Sequence, residues 1–235
     1  MKKIVIALTA LLAAGVCMAT ALCFSVLFAP KSVFSSSDSA LRIVLDAGHG
    51  GIDCGVRGKT TGIKESDINL AITLALGEML ESSGFEVTHT RKTQAGLYGT
   101  TARGFKKRDM ERRKAIVDEA KPSLLISVHQ NFYPTSGSRG AQVFYEKNAE
   151  KSARFALALQ TALNGLYAKE GVKNRKSATG DYFMLRISDC PSVIVECGFL
   201  SNPSDEKLLA SSSWQKATAE AIVEGIKAYL YDYSS

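Results

Sequence analysis

Histidine is scarce in this chain: His49, His89 and His129 are the only three in 235 residues. Any chemistry that needs imidazole must draw on these. Cysteine is little commoner. Beyond the first thirty residues only Cys54, Cys190 and Cys197 remain, an odd number that excludes a disulfide framework as the basis of the fold. They read instead as small, buried apolar residues. A strong charge imbalance is also missing. The formal charge is +6, two of it from Lys2 and Lys3, and no recognisable nucleic-acid module accompanies it, so nucleic acid is excluded as the expected partner. No internal repeat and no second domain can be discerned.

Charge is wholly absent from residues 4–29, "IVIALTALLAAGVCMATALCFSVLFA". That run exceeds the ~20 residues that span a bilayer and is long for the core of a signal peptide. The lysines before it keep that end in the cytoplasm and send the rest outward. Residues 1–30 are therefore expected to be a signal peptide or a membrane anchor. Ala19-Thr20-Ala21 is a candidate cleavage site, which leaves both readings open. Residues 31–40, "KSVFSSSDSA", read as a polar linker, and 41–235 as the working domain of an exported protein.

With 46% apolar residues, that body can bury one good core. Buried strands are expected at 42–47, 123–129, 140–146 and 192–198, and an alternating strand at 85–90. Between them fall helical patterns from Ser66 to Gly84, near 107–120 up to Pro122, at 149–169 and at 214–230. Such alternation implies an α/β fold: one domain with a largely parallel or mixed central sheet flanked by helices. Sites in such sheets form beyond the carboxyl ends of strands.

Three candidate residues stand there. His49 lies in the glycine-rich loop of "IVLDAGHGGIDCG", His129 ends "SLLISVH", and Glu196 interrupts the apolar run "SVIVECGF". An unpaired buried carboxylate is expensive, so Glu196 must be paired, metal-linked or catalytic. Glu65 opens a helix, where the dipole favours a carboxylate in any case. His89 falls within a strand alternation and reads as structural. Two histidines and a carboxylate are nevertheless the protein ligands of a catalytic zinc site with one open position. His49, Glu65 and His129 can supply that set, and Glu196 the further carboxylate that moves the proton. No HExxH helix is present, and Asp53 stands where a dinucleotide loop needs its third glycine.

The strings "LDAGHGGIDCG", "ESDINL", "LLISVHQN" and "VIVECGFLSN", in that order, resemble the zinc-dependent N-acetylmuramoyl-L-alanine amidases of the amidase-3 type, over nearly all of residues 42–229. The resemblance implies that His49, Glu65 and His129 bind Zn2+ and that Glu196 is catalytic. The bond implied joins the lactyl group of N-acetylmuramic acid to L-alanine in peptidoglycan. Arg113 matches a family arginine that is structural rather than catalytic. Arg175, Arg186 and Asn131 are candidate substrate contacts. Departures from the family pattern are Ala47 for proline, Gln130 for alanine and Gln94 for aspartate; Gln130 stands to alter the pocket beside the metal. The compact layout is most like the sporulation and germination amidases, which act in the intermembrane space of a forming spore. Some relatives need an activating protein, so such a partner at the membrane is allowed. The rim-like stretch "AGLYGTTARGFKK" (95–107) is expected to be mobile. Two alternatives remain: a catalytically silent peptidoglycan-binding protein of the same fold, and a cysteine hydrolase built on Cys197. The second conflicts with strand alternation, which turns Cys197 away from the face that carries Glu196.

Overall fold

The apolar runs Arg42–Ala47 (β1), Leu124–Asn131 (β3) and Ser192–Phe199 (β6) occupy the middle of a sheet because both of its faces are covered, and only such residues tolerate that position. Glu86–His89 (β2) pairs outside β1, while Gln142–Tyr145 (β4) and Ala178–Thr179 (β5) complete the other side, giving the order β2-β1-β3-β6-β4-β5. All pairings are parallel except β4 with β6, so the sheet is mixed. This is a computed structural model, and it describes residues 41–233. The expected leader and linker at 1–40 lie outside the described residues.

Five helices are described: Glu65–Ser82 (α1), Phe105–Ala120 (α2), Glu150–Ala168 (α3), Pro203–Leu209 (α4) and Ser212–Tyr233 (α5). Among the described residues no helix is long and apolar enough to cross a membrane. Helix α1 stops where the glycine signal places it. Gly84 sits at φ 88°, and the N–H groups of Gly84 and Phe85 return to Glu81 and Leu80, which satisfies the last carbonyls of the helix. Helix α4, a 3-10 turn at Phe183–Leu185 and the two-residue β5 carry too little periodicity to be read from sequence. Helix α4 does carry a start signal: Asn202 Oδ1 accepts from the N–H groups of Ser204 and Asp205, with Pro203 at the first turn.

The period-2 alternation of the strands sorts their side chains between two unequal layers. Ile43, Leu45, Ile126, Val128, Val193 and Val195 face the larger core, closed by α1, α3 and α5. Val44, Leu125 and Ile194 face a smaller one, closed by α2 and the 3-10 turn through Val117, Met184 and Leu185. Cys197 is fully buried in the larger core, and all three described cysteines are unpaired thiols. The thin layer is the one that opens at the carboxyl edge of the sheet.

Beneath that opening lies a buried ionic core. Asp46, 1% exposed, pairs with Arg113, 2% exposed, and also accepts from Thr90 and Ser127. The guanidinium beside Asp46 and these hydroxyls keep its carboxyl below the ordinary range, although burial is the largest influence and pushes the other way. Asp109 holds the other side of Arg113, at 2.6 Å from Nε. Removing one member strands the other charge. Replacing Arg113 by leucine should cost about 3–5 kcal/mol in urea unfolding, against less than about 0.5 kcal/mol for Lys114→Leu on the exposed face of the same helix.

Candidate metal centre

Gly48, at the end of β1, leaves the space into which His129 folds from β3: a Cβ on Gly48 would lie 2.2 Å from the His129 ring. His49 follows in the left-handed region, at φ 61°, a conformation that costs a non-glycine residue about 1–3 kcal/mol unless it is held. It is held. Arg113 donates to the carbonyls of Ala47 and His49 at 2.9 and 2.7 Å, and buried Arg91 donates to those of Ala47 and Gly48 at 2.8 and 2.9 Å. Two guanidinium groups thus grip three consecutive carbonyls of the loop. Burial and the neighbouring Arg113 lower the pKa of Arg91 to about 10, which leaves it charged at neutral pH.

Glu65 arrives from the first turn of α1, after a hairpin that the buried Glu206 latches through the N–H groups of Thr60 and Thr61. Its Oε2 accepts from Val56 N–H at 2.9 Å. Its Oε1 lies 3.3 Å from His49 Nε2 and 2.9 Å from His129 Nδ1. The three side chains offer ligand atoms within 4.8 Å of one another. Burial alone would raise the Glu65 pKa, but the two histidines outweigh it and hold the carboxyl well below its usual range. His49 is raised despite its burial, first by Glu65 and then by Asp53, whose Oδ2 lies 3.2 Å from Nδ1. That carboxylate leaves Nε2 as the nitrogen directed to the cluster.

Two imidazoles and one carboxylate, gathered where a cavity opens, fit zinc with a free coordination position. The cavity is about 290 Å³ and is lined by His49, His129 and Glu196 together with Tyr98, Phe105, Lys106, Tyr182 and Phe183. Glu196 is the register partner of His129 on the next strand, so the two stand side by side on one face. Its Oε2 is shielded from solvent and has no hydrogen-bond partner. Burial, opposed by His129 and reinforced by the Glu65 charge, pushes the carboxyl up to about 7.

Not every expected residue reaches this cavity. Arg175 lies over the Phe199 ring, 4.8 Å from its centroid. Arg186 pairs with Asp181 and lines a separate surface depression with Lys114 and Cys190. Asn131 uses its carbonyl to accept from Leu200 N–H. None of the three lines the cavity, and neither does His89, which packs against Gly77 of α1. The rim at 95–107 also differs from the mobile loop expected. Arg108 donates to the carbonyls of Tyr98, Thr100, Ala102 and Arg103, and Tyr98 accepts from Ile52 N–H at 2.8 Å, so the loop is pinned to the metal-loop backbone. Asp46, Asp53, Asn69 and Arg91 are supporting residues the sequence reading passed over. Asp46 carries the signal used for Glu196, a carboxylate in an apolar run, and Asn69 lies one helical turn beyond Glu65.

The family described as N-acetylmuramoyl-L-alanine amidase matches residues 43–228. The germination-specific N-acetylmuramoyl-L-alanine amidase of Bacillus subtilis is 30% identical over 86% of this chain and 89% of its own length. The probable cell wall amidase LytH of Staphylococcus epidermidis is 29% identical over 86% of this chain, which spans 62% of that protein. The CwlD amidase of Clostridioides difficile, solved in complex with the GerS lipoprotein, superimposes with a TM-score of 0.77 at 39% identity, over 81% of this chain and 98% of that one.

Two outcomes follow from the geometry. Gly48→Ala should displace the His129 ring and lower whatever affinity the cluster has for zinc by ~10–100-fold, read by competition with a chelating dye. For Glu196, the folded carboxyl keeps a proton that the unfolded chain has lost, so its stabilising contribution is full below about pH 4.5 and gone once the pH has risen through about 7. Metal-free Glu196→Gln should therefore be more stable than the parent by roughly 2–3 kcal/mol at pH 8, with the difference shrinking toward pH 4, by urea unfolding.

Proposed function

The chain belongs to the N-acetylmuramoyl-L-alanine amidase family, and from that premise we propose a zinc-dependent enzyme whose metal is held by His49, Glu65 and His129 and whose proton carrier is Glu196. The activity of the family is hydrolysis of the amide between N-acetylmuramic acid and L-alanine in peptidoglycan. The observation that carries the assignment of roles is the convergence of His49, Glu65 and His129 beside a cavity that His49, His129 and Glu196 line, with an oxygen of Glu196 left unpartnered.

A zinc ion held by His49, Glu65 and His129 would supply Lewis acidity, to polarise a carbonyl and acidify water. The remaining work belongs to the chain. Glu196, beside His129 on the next strand and with an oxygen free of hydrogen bonds, is placed to take a proton from the attacking water and return it to the alanine nitrogen as the C–N bond breaks. No side-chain nucleophile is needed. Cys197 faces the opposite core, and burial pushes its thiol pKa far above the ordinary range. Tyr98, Phe105, Tyr182 and Phe183 line the cavity and offer apolar walls for a sugar ring and the lactyl group.

The reading extends to where the enzyme works. The uncharged run at 4–29 supports export, with residues 1–30 as signal or anchor, 31–40 as linker and 41–235 as the catalytic domain. The likeness to a germination-specific amidase supports a role in spore peptidoglycan. A structural relative solved with a lipoprotein supports an activating partner at the outer face of the membrane.

Purified protein incubated with peptidoglycan and zinc should release peptides with a free N-terminal L-alanine, detected by mass spectrometry. Removing the metal with a chelator should stop release, and zinc should restore it. Glu196→Gln should lower the rate by roughly 10²–10⁴-fold while zinc content stays that of the parent. Release at the parent rate would remove Glu196 from its assigned role.

A further inference from the structure

Gln130 follows His129 directly and is 3% exposed, so it carries a primary amide into the wall behind the ligand cluster. Its Nε2 donates to Asn69 Oδ1 at 3.0 Å. That bond decides which way round the Asn69 amide sits. With Oδ1 taken by Gln130, Nδ2 must point the other way, and there it donates to Gly48 O at 3.1 Å and to Glu65 Oε1 at 3.3 Å. Turned by half a rotation, the same amide would set its oxygen against two acceptors. Asn69 is fully buried and one helical turn beyond Glu65, so the contact is built into α1.

Glu65 Oε1 is the oxygen that faces both histidines. The backbone N–H of Gln130 also donates to it, at 3.2 Å, while Oε2 is tied to Val56 N–H. Of these restraints, only the Asn69 contact depends on an amide that can flip. Gln130 itself is poorly satisfied: its Oε1 is shielded from solvent and has no hydrogen-bond partner. As core filling alone, an apolar side chain of that size would cost less. The value of the residue therefore lies in its donor end.

We propose that the Gln130 and Asn69 side chains form an amide relay that positions Glu65 as a metal ligand, with the Gln130 side chain acting only through Asn69. The inference rests on the zinc reading above and adds two positioning residues to it, neither of which is a ligand.

The test uses the full chain and measures zinc affinity by competition with a chromophoric chelator. The variants are Gln130→Met, Asn69→Leu, their combination, and Gln160→Met. Gln160 is another buried amide, bonded to the backbone of Ala141 and Val143 and absent from the cavity. Gln130→Met and Asn69→Leu should each weaken zinc binding by ~10–100-fold. The combination should bind within about twofold of Asn69→Leu alone, because a relay broken at its second member no longer feels its first. Gln160→Met should lower the unfolding temperature yet bind zinc like the parent, which separates positioning from general loosening. Gln130→Ala repeats the measurement should the methionine variant not fold. Parent-like affinity in the Gln130 variant, or losses that multiply in the combination, would overturn the relay while leaving the metal site standing. A parent that takes up no zinc would overturn the metal reading and the relay with it.

Discussion

Two charges buried beneath the carboxyl edge of the sheet, on Asp46 and Arg113, oblige the loop above them to take the shape the site needs. A guanidinium so deep requires a partner and a full set of acceptors. The Asp46 and Asp109 carboxylates supply part of that set, and the carbonyls of Ala47 and His49 supply the rest. Satisfying Arg113 thus draws the backbone at His49 into the left-handed region, and Arg91 grips the same loop one residue earlier. The metal loop is shaped from below by donors that cannot be left unmet, so the strain at His49 is offset where it arises.

The carboxylates around the cavity show how burial and neighbours divide labour. Glu65 and Glu196 both lose solvent, which pushes both pKa values up. Glu65 meets two imidazoles and three N–H donors, so its charge is favoured and it suits a cation. Glu196 has an unpartnered oxygen and feels the Glu65 charge, so its proton is held to near neutrality. A carboxylate held as an anion and another that keeps its proton to near neutrality suit the metal-assisted hydrolysis proposed above. The arrangement depends on register, since His129 and Glu196 are neighbours on adjacent parallel strands.

Much of this was legible beforehand, for reasons that differ by element. The buried strands and long helices declare themselves through apolar period and length, and Gly84 and Pro122 mark two helix ends because no other residues suit those turns so well. Helix α4 and the two-residue β5 escape because seven and two residues hold too little periodicity. The rim at 95–107 looked loose because it is rich in glycine and threonine. Its order comes from Arg108, a residue further along the chain whose donors collect carbonyls that composition does not reveal. Arg175 and Arg186 have the charge suited to a substrate contact, but Phe199 and Asp181 engage them elsewhere.

Alone, the sequence determined the α/β alternation, the placing of His49 after one buried strand and of His129 and Glu196 in the later part of two others, and the chemical class that two histidines and two carboxylates allow. These are matters of residue type and of local period, which neighbours along the chain express. Only the tertiary structure decided that the three ligand-type groups meet, which carboxylate is acidic and which holds a proton, and which arginines grip the loop. Each of those depends on desolvation and on contacts between residues tens of positions apart. The separations of 65 residues from Glu65 to Gln130 and of 67 from Asp46 to Arg113 are spanned by the fold and by nothing in the local chain.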